Sequence, residues 1–208
     1  MRVLLVFLVL TFGLCSTASA RTVLVIGDSL SAAYGLAESD GWVQLAKQQL
    51  EPDYPDIEFI NASISGDTTE GALRRLPAAL ERFKPDILII ELGGNDGLRG
   101  YSLKKLTENL QTLATMGQQA SAQVLILGMR IPSNYGPAYT EKFAQTFADA
   151  AAASESALLP FFLEPIATDA SFFQSDGIHP SKEAQPLLVE PVLEKLIPLL
   201  DAVEVSAQ

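Results

Sequence analysis

The chain has 208 residues, a formal net charge of −11 at pH 7, one histidine and one cysteine. The acidic balance argues against binding nucleic acid, or an anionic membrane surface, through bulk electrostatics. One histidine and one cysteine leave almost nothing for a transition-metal site, and no calcium-loop spacing of carboxylates occurs, so no metal and no cofactor are expected.

The first twenty residues read as an export signal. Arg2 gives a positive start, an apolar run extends from Val3 to Leu14, and Ala18-Ser19-Ala20 supplies small residues for cleavage. The run is shorter than the roughly 20 apolar residues of a membrane-spanning helix, so no stable membrane insertion is expected. Leu14 stands before Cys15, where a lipid-anchored protein wants a small residue. Cleavage near Ala20 therefore predicts a periplasmic or secreted protein of 188 residues, without a cysteine and with a charge of −12 once Arg2 leaves. Residues 21–208 are long enough for one domain with a full core, expected to be monomeric.

Short apolar runs alternate with longer helical segments. The first run, Val23-Leu24-Val25-Ile26, leads into Gly27-Asp28-Ser29-Leu30, where a serine hydroxyl would sit exposed beside backbone N–H groups. Alone, Gly-Asp-Ser is more often ordinary turn chemistry. A helix is predicted near 41–50. The second run, Ile57-Glu58-Phe59-Ile60, is followed by Asn61-Ala62-Ser63-Ile64-Ser65-Gly66-Asp67, whose Gly66 N–H could face a developing negative charge. Asp67 and Glu70 form a capping-box-like start to a helix over 69–82. The third run, Ile87-Leu88-Ile89-Ile90, ends at Gly93-Gly94-Asn95-Asp96-Gly97, a glycine-rich turn in which the Asn95 amide could serve an oxyanion. A helix over 103–120, the run Val124-Leu125-Ile126-Leu127, a helix over 139–154 and a weak run at Leu158-Leu159 follow. The last helix, over 182–200, holds Pro186, Pro191 and Pro198, which predicts a kinked or broken element.

Continuous apolar runs separated by helices point to an α/β fold, a three-layer α/β/α sandwich around a parallel sheet. Such sheets collect function at the carboxyl ends of their strands. Asp176-Gly177-Ile178-His179-Pro180 completes the set, because it contains the single histidine. Pro180 disfavours helical geometry at His179, and an aspartate three residues earlier can accept from one ring nitrogen. The other nitrogen then stands ready for the Ser29 proton, giving the catalytic set Ser29, His179 and Asp176. Asp28, Asp67 and Asp96 also suggest paired carboxylates of a glycosidase, but each has a simpler role as a cap or turn residue.

With these residues in view, the sequence resembles the GDSL, or SGNH, hydrolase family, whose namesake serine, glycine, asparagine and histidine match Ser29, Gly66, Asn95 and His179. The resemblance also runs through ELGGNDGLRG at 91–100, Asn134-Tyr135-Gly136 and Leu159-Pro160-Phe161-Phe162. It implies a flavodoxin-like sheet of five parallel strands and an oxyanion hole from the Ser29 N–H, the Gly66 N–H and the Asn95 side chain. It also implies a serine esterase active on acyl thioesters, aryl esters and lysophospholipids. The substrate is then a small-molecule or lipid acyl ester, rimmed by Leu98, Tyr101, Ile131, Pro132, Tyr135, Phe161 and Phe162. The rival readings are a carbohydrate or peptidoglycan O-acetylesterase with the same catalytic residues, and a non-catalytic binding module.

Overall fold

A computed structural model describes residues 21–206; the leader inferred from the sequence lies outside them. Five strands, β1 (Thr22–Gly27), β2 (Glu58–Asn61), β3 (Ile87–Glu91), β4 (Gln123–Leu127) and β5 (Ala157–Leu159), form one sheet in the order β2-β1-β3-β4-β5. Every pairing is parallel. All five residues of β3 are buried, because helices cover both faces of the central strands, whereas the edge strand β2 is half-buried. This is why β3 reads as an uninterrupted apolar run.

Helices α1 (Trp42–Leu50) and α6 (Gln185–Ser206) pack together on one side of the sheet. On the other side lie α2 (Thr69–Phe83), α4 (Leu103–Gln119) and α5 (Pro137–Ala153), with the short α3 (Gly94–Leu98) at the end of β3. Each long helix buries a stripe at helical spacing, such as Thr69, Ala72, Leu76 and Leu80 of α2. Trp42, Phe143, Phe147 and Phe162 are the largest side chains wholly inside the core.

Three local expectations are corrected. The start of α2 is capped by Thr68, whose hydroxyl accepts from the Gly71 N–H at 3.2 Å. Asp67 instead pairs with Arg75 at 2.7 Å, and Arg75 also reaches Gly27 O and Ala62 O, tying α2 to the ends of β1 and β2. The segment after β3 is not a simple glycine-rich turn, since Gly94–Leu98 winds into a helix. Finally, α6 runs unbroken over 22 residues despite its prolines. Pro186 occupies the first turn, where no intrahelical N–H is needed. Pro191 and Pro198 deprive the carbonyls of Leu187 and Glu194, residues on the exposed side, so water can satisfy them while Leu188, Val192, Leu196 and Leu200 stay packed.

The order β2-β1-β3 places the topological switch beside β1, where connections leave in opposite directions and open a crevice at the strand ends. One wall of that crevice depends on Gly128, directly after β4. Its N–H donates to Leu159 O at 2.7 Å, and its carbonyl accepts from the Phe162 N–H at 2.8 Å. A β-carbon there would lie 2.4 Å from Pro160 O and 3.0 Å from Leu159 O, both backbone atoms that cannot step aside. Gly128→Ala is expected to destabilise the protein by about 1–3 kcal/mol, read as a lower urea midpoint. An unchanged midpoint would mean that the two strand exits separate freely.

Candidate active site

β1 ends in a tight turn that presents Ser29. The Asp28 carboxylate accepts from the Leu30 N–H at 3.1 Å, while Asp28 O and Ser29 O accept from the N–H groups of Ala32 and Tyr34. From the far end of the chain the loop before α6 brings in the histidine. His179 Nε2 lies 2.8 Å from Ser29 Oγ, and Nδ1 lies 2.6 Å from Asp176 Oδ2. An ionised carboxylate only accepts, so Nδ1 carries the proton and donates to Asp176, leaving Nε2 to accept from the serine O–H.

The sequence spacing of this loop has a direct geometric meaning. Asp176 Oδ1 accepts from the N–H groups of Ile178 and His179 at 2.9 and 3.0 Å, which folds the aspartate back over three residues. The His179 ring and these two backbone donors pull the Asp176 carboxyl down to about 2. It therefore remains charged across the neutral and mildly acidic range. Three further contacts hold the loop in place. Gln174 donates to Tyr34 O at 2.8 Å and Pro180 O at 3.1 Å, and the Tyr34 ring packs on the imidazole with centroids 4.3 Å apart.

Gly66 and Asn95 reach the same crevice from β2 and β3. Gly66 adopts φ +79°, a left-handed conformation that glycine tolerates at no steric cost, and its carbonyl accepts from Arg99 at 3.0 Å. No described residue accepts from the N–H of Gly66 or of Ser29. Asn95 donates one amide hydrogen to Asp28 Oδ2 at 3.1 Å, which leaves its second hydrogen available. Ser29, Gly66, Asn95 and His179 thus all line one cleft of about 910 Å³, near the upper end of small-ligand sites (roughly 300–1,000 Å³).

The apolar rim is distributed differently from the expectation. Leu98, Ile131, Pro132 and Phe161 line the cleft, joined by Leu30, Met129, Leu163 and Phe173. Phe162 does not, because the chain alternates sides there and its ring packs edge-on against Trp42 in the core. Tyr101 faces a separate, smaller depression with Glu70 and Lys105. Tyr135 lies behind the rim, where its hydroxyl donates to Leu98 O at 3.1 Å and its ring stacks on Tyr139. Among the described residues, no group of three or more His, Cys, Asp or Glu is placed to hold a metal ion.

Beneath Ser29 lies a group that the sequence reading passed over. Glu91, wholly buried at the end of β3, pairs across the sheet with Gly27. Its Oε2 accepts from Ser31 Oγ at 2.7 Å, from the Ser31 N–H at 3.2 Å and, at 3.4 Å, from the Asp28 N–H. Trp42 Nε1 donates to the same Ser31 hydroxyl at 3.2 Å. The signal was present: β3 reads Ile-Leu-Ile-Ile-Glu, and a carboxylate closing a buried run needs a purpose. Burial, then the nearby Asp28 carboxylate, push Glu91 well above its ordinary value of 4.5. Burial likewise pushes Asp28 up to about 6, against the opposing pull of the Leu30 N–H and Asn95.

Comparison with known proteins gives a consistent picture. The sequence profile of the GDSL-like lipase/acylhydrolase family matches residues 25–186. The chain is 49% identical over 187 residues to esterase TesA of Pseudomonas aeruginosa, covering 90% of this chain and 93% of that one. It is 38% identical over 195 residues to the Escherichia coli thioesterase 1/protease 1/lysophospholipase L1, covering 94% and 92% of the two chains. A crystal structure of TesA superposes with a TM-score of 0.84 at 49% identity, over 86% of this chain and 99% of that one.

The buried carboxyl predicts a pH dependence of stability. A carboxyl whose folded-state pKa is raised imposes no penalty below its unfolded value and weakens the fold as pH rises through the folded value. Glu91→Gln, which cannot ionise, is expected to lose less stability than wild type as pH rises above the ordinary carboxylate range, as measured by urea midpoints. Equal losses in the two proteins would remove Glu91 as a source of that dependence.

Proposed function

The chain belongs to the GDSL-like lipase/acylhydrolase family and is a serine hydrolase; from that premise we propose that it hydrolyses acyl esters and thioesters by a Ser29-His179-Asp176 triad and an acyl-enzyme. The observation that carries the reading is the hydrogen-bond chain from Ser29 Oγ through the imidazole to Asp176, at 2.8 and 2.6 Å.

In the first half-reaction, His179 Nε2 takes the Ser29 proton as Oγ attacks the acyl carbonyl. Asp176, ionised throughout, keeps Nδ1 protonated and stabilises the imidazolium. Negative charge collects on the former carbonyl oxygen, where the N–H groups of Ser29 and Gly66 and the free amide hydrogen of Asn95 receive it. The imidazolium then protonates the departing alcohol or thiol. In the second half-reaction water attacks the acyl-enzyme, His179 takes its proton, and the acid leaves with Ser29 restored.

The role of Asp28 follows from its contacts. Its carboxylate fixes the orientation of the Asn95 amide while also holding the turn at Leu30, so the donor is set before substrate arrives. The apolar lining, from Leu30 to Phe173, suits the hydrocarbon part of an acyl chain. The Pseudomonas relative is called an esterase, and the E. coli relative a thioesterase and lysophospholipase. We place the substrate among lipid acyl esters, met after export through the leader at residues 1–20; a cytoplasmic acyl thioester would then be turned over only in vitro.

The test is release of p-nitrophenol from acyl esters of increasing chain length. Ser29→Ala is expected to lower kcat by at least about 10⁴-fold. Asn95→Ala is expected to lower it by about 10²–10³-fold with a smaller change in KM, since the donor acts mainly in the transition state. Rates that rise toward medium or long chains support a lipid substrate. Activity confined to acetate would move the substrate to acetylated carbohydrate, and a fully active Ser29→Ala enzyme would end the triad reading.

A further inference from the structure

We propose that Arg130 is a specificity residue that favours acyl esters carrying an anionic oxyacid group, a phosphate or a carboxylate; this rests on the esterase reading above. Apart from His179 and the Tyr34 phenol, the ionisable side chains that line the cleft among the described residues are Asp28 and Arg130. Asp28 is 2% exposed and occupied by the Leu30 N–H and Asn95. Arg130 is exposed, so the charge that an entering ligand meets on the cleft wall is positive.

That charge is unusual in its setting. The protein has 25 carboxylate residues against 14 lysines and arginines. Arg74 and Arg75 are engaged with Glu70 and Asp67, whereas no hydrogen bond or ion pair joins Arg130 to any described residue. The guanidinium lies over the Phe161 ring, 4.8 Å from its centroid. Stacking restrains the planar group without consuming its N–H donors, which stay free for the edge of a phosphate or carboxylate. Arg130 sits between buried Met129 and Ile131 at the exit of β4, on the wall that Gly128 fixes against β5, so its position is set by backbone packing. An apolar cleft with one held cation suits a molecule with a hydrocarbon part and a single anionic head.

The experiment compares three esters with the same acyl chain, below their aggregation limits: 1-octanoylglycerol, 1-octanoylglycerol 3-phosphate and 3-O-octanoylglycerate. The quantity read is kcat/KM for each anionic ester divided by that for the neutral one. For wild type at low salt it is expected to exceed that of Arg130→Gln by about 3- to 10-fold, with Arg130→Lys between them. The phosphate and carboxylate arms show which oxyacid is preferred. About 0.5 M salt should shrink the wild-type ratio and leave that of Arg130→Gln nearly unmoved. A ratio that is the same in all three proteins would overturn the assignment and reduce Arg130 to packing on Phe161. Hydrolysis of the neutral ester by wild type but not by Ser29→Ala keeps the esterase reading separate from that outcome.

Discussion

The parallel pairing of β1 with β3 is the constraint on which the site depends. It sets Gly27 opposite Glu91, so the two chains leave the sheet side by side, one into Asp28-Ser29 and the other into Gly94-Asn95. With β2 on the other side of β1, the exits that carry Ser29, Gly66 and Asn95 are neighbours. Strands about 4.8 Å apart bring these turns side by side at one end of the sheet.

Two kinds of carboxylate serve this arrangement, in opposite electrostatic settings. Asp176 is partly exposed and surrounded by donors, namely the imidazole and two backbone N–H groups, and its charge is easily held. Asp28 and Glu91 lie inside, where desolvation outweighs their donors and resists ionisation. Glu91 gathers the Ser31 hydroxyl and the N–H groups of Asp28 and Ser31 onto one oxygen, which holds the backbone on both sides of Ser29. Burying those carboxyls costs stability, and their hydrogen bonds hold the backbone around Ser29.

The remaining walls come from β4 and β5, at the side of the sheet away from β2. The close approach at Gly128 aligns the segments that contribute Met129, Arg130, Ile131 and Phe161, and the loop before α6 closes the cleft with Phe173 and His179. Tyr34 and Gln174 join that loop to the turn after β1, so His179 and Ser29 are braced against each other. Charge on this surface is sparse, which gives a single arginine more influence on an entering ligand than it would have on a mixed-charge face.

Sequence alone determined the α/β class and all five strands, and it singled out Ser29, Gly66, Asn95, Asp176 and His179 as candidate site residues, because each of these signals is local chemistry. Continuous apolar runs mark strands buried on both faces, and the chemistry-bearing residues lie just beyond them. Asp176 and His179 are near neighbours whose hydrogen bonds close within four residues. Only the tertiary structure decided that Phe161 faces the cleft while Phe162 fills the core, since adjacent aromatic residues carry no label for inside and outside. It likewise decided that Tyr101 and Tyr135 turn elsewhere, and that Thr68 rather than Asp67 caps α2, because Arg75 competes for that carboxylate. The long-range partners of Asp28, Glu91 and Arg130 were not legible for the same reason. Whether a charge is desolvated, paired or left open is a property of what the fold brings beside it, and those neighbours lie 30 or more residues away along the chain.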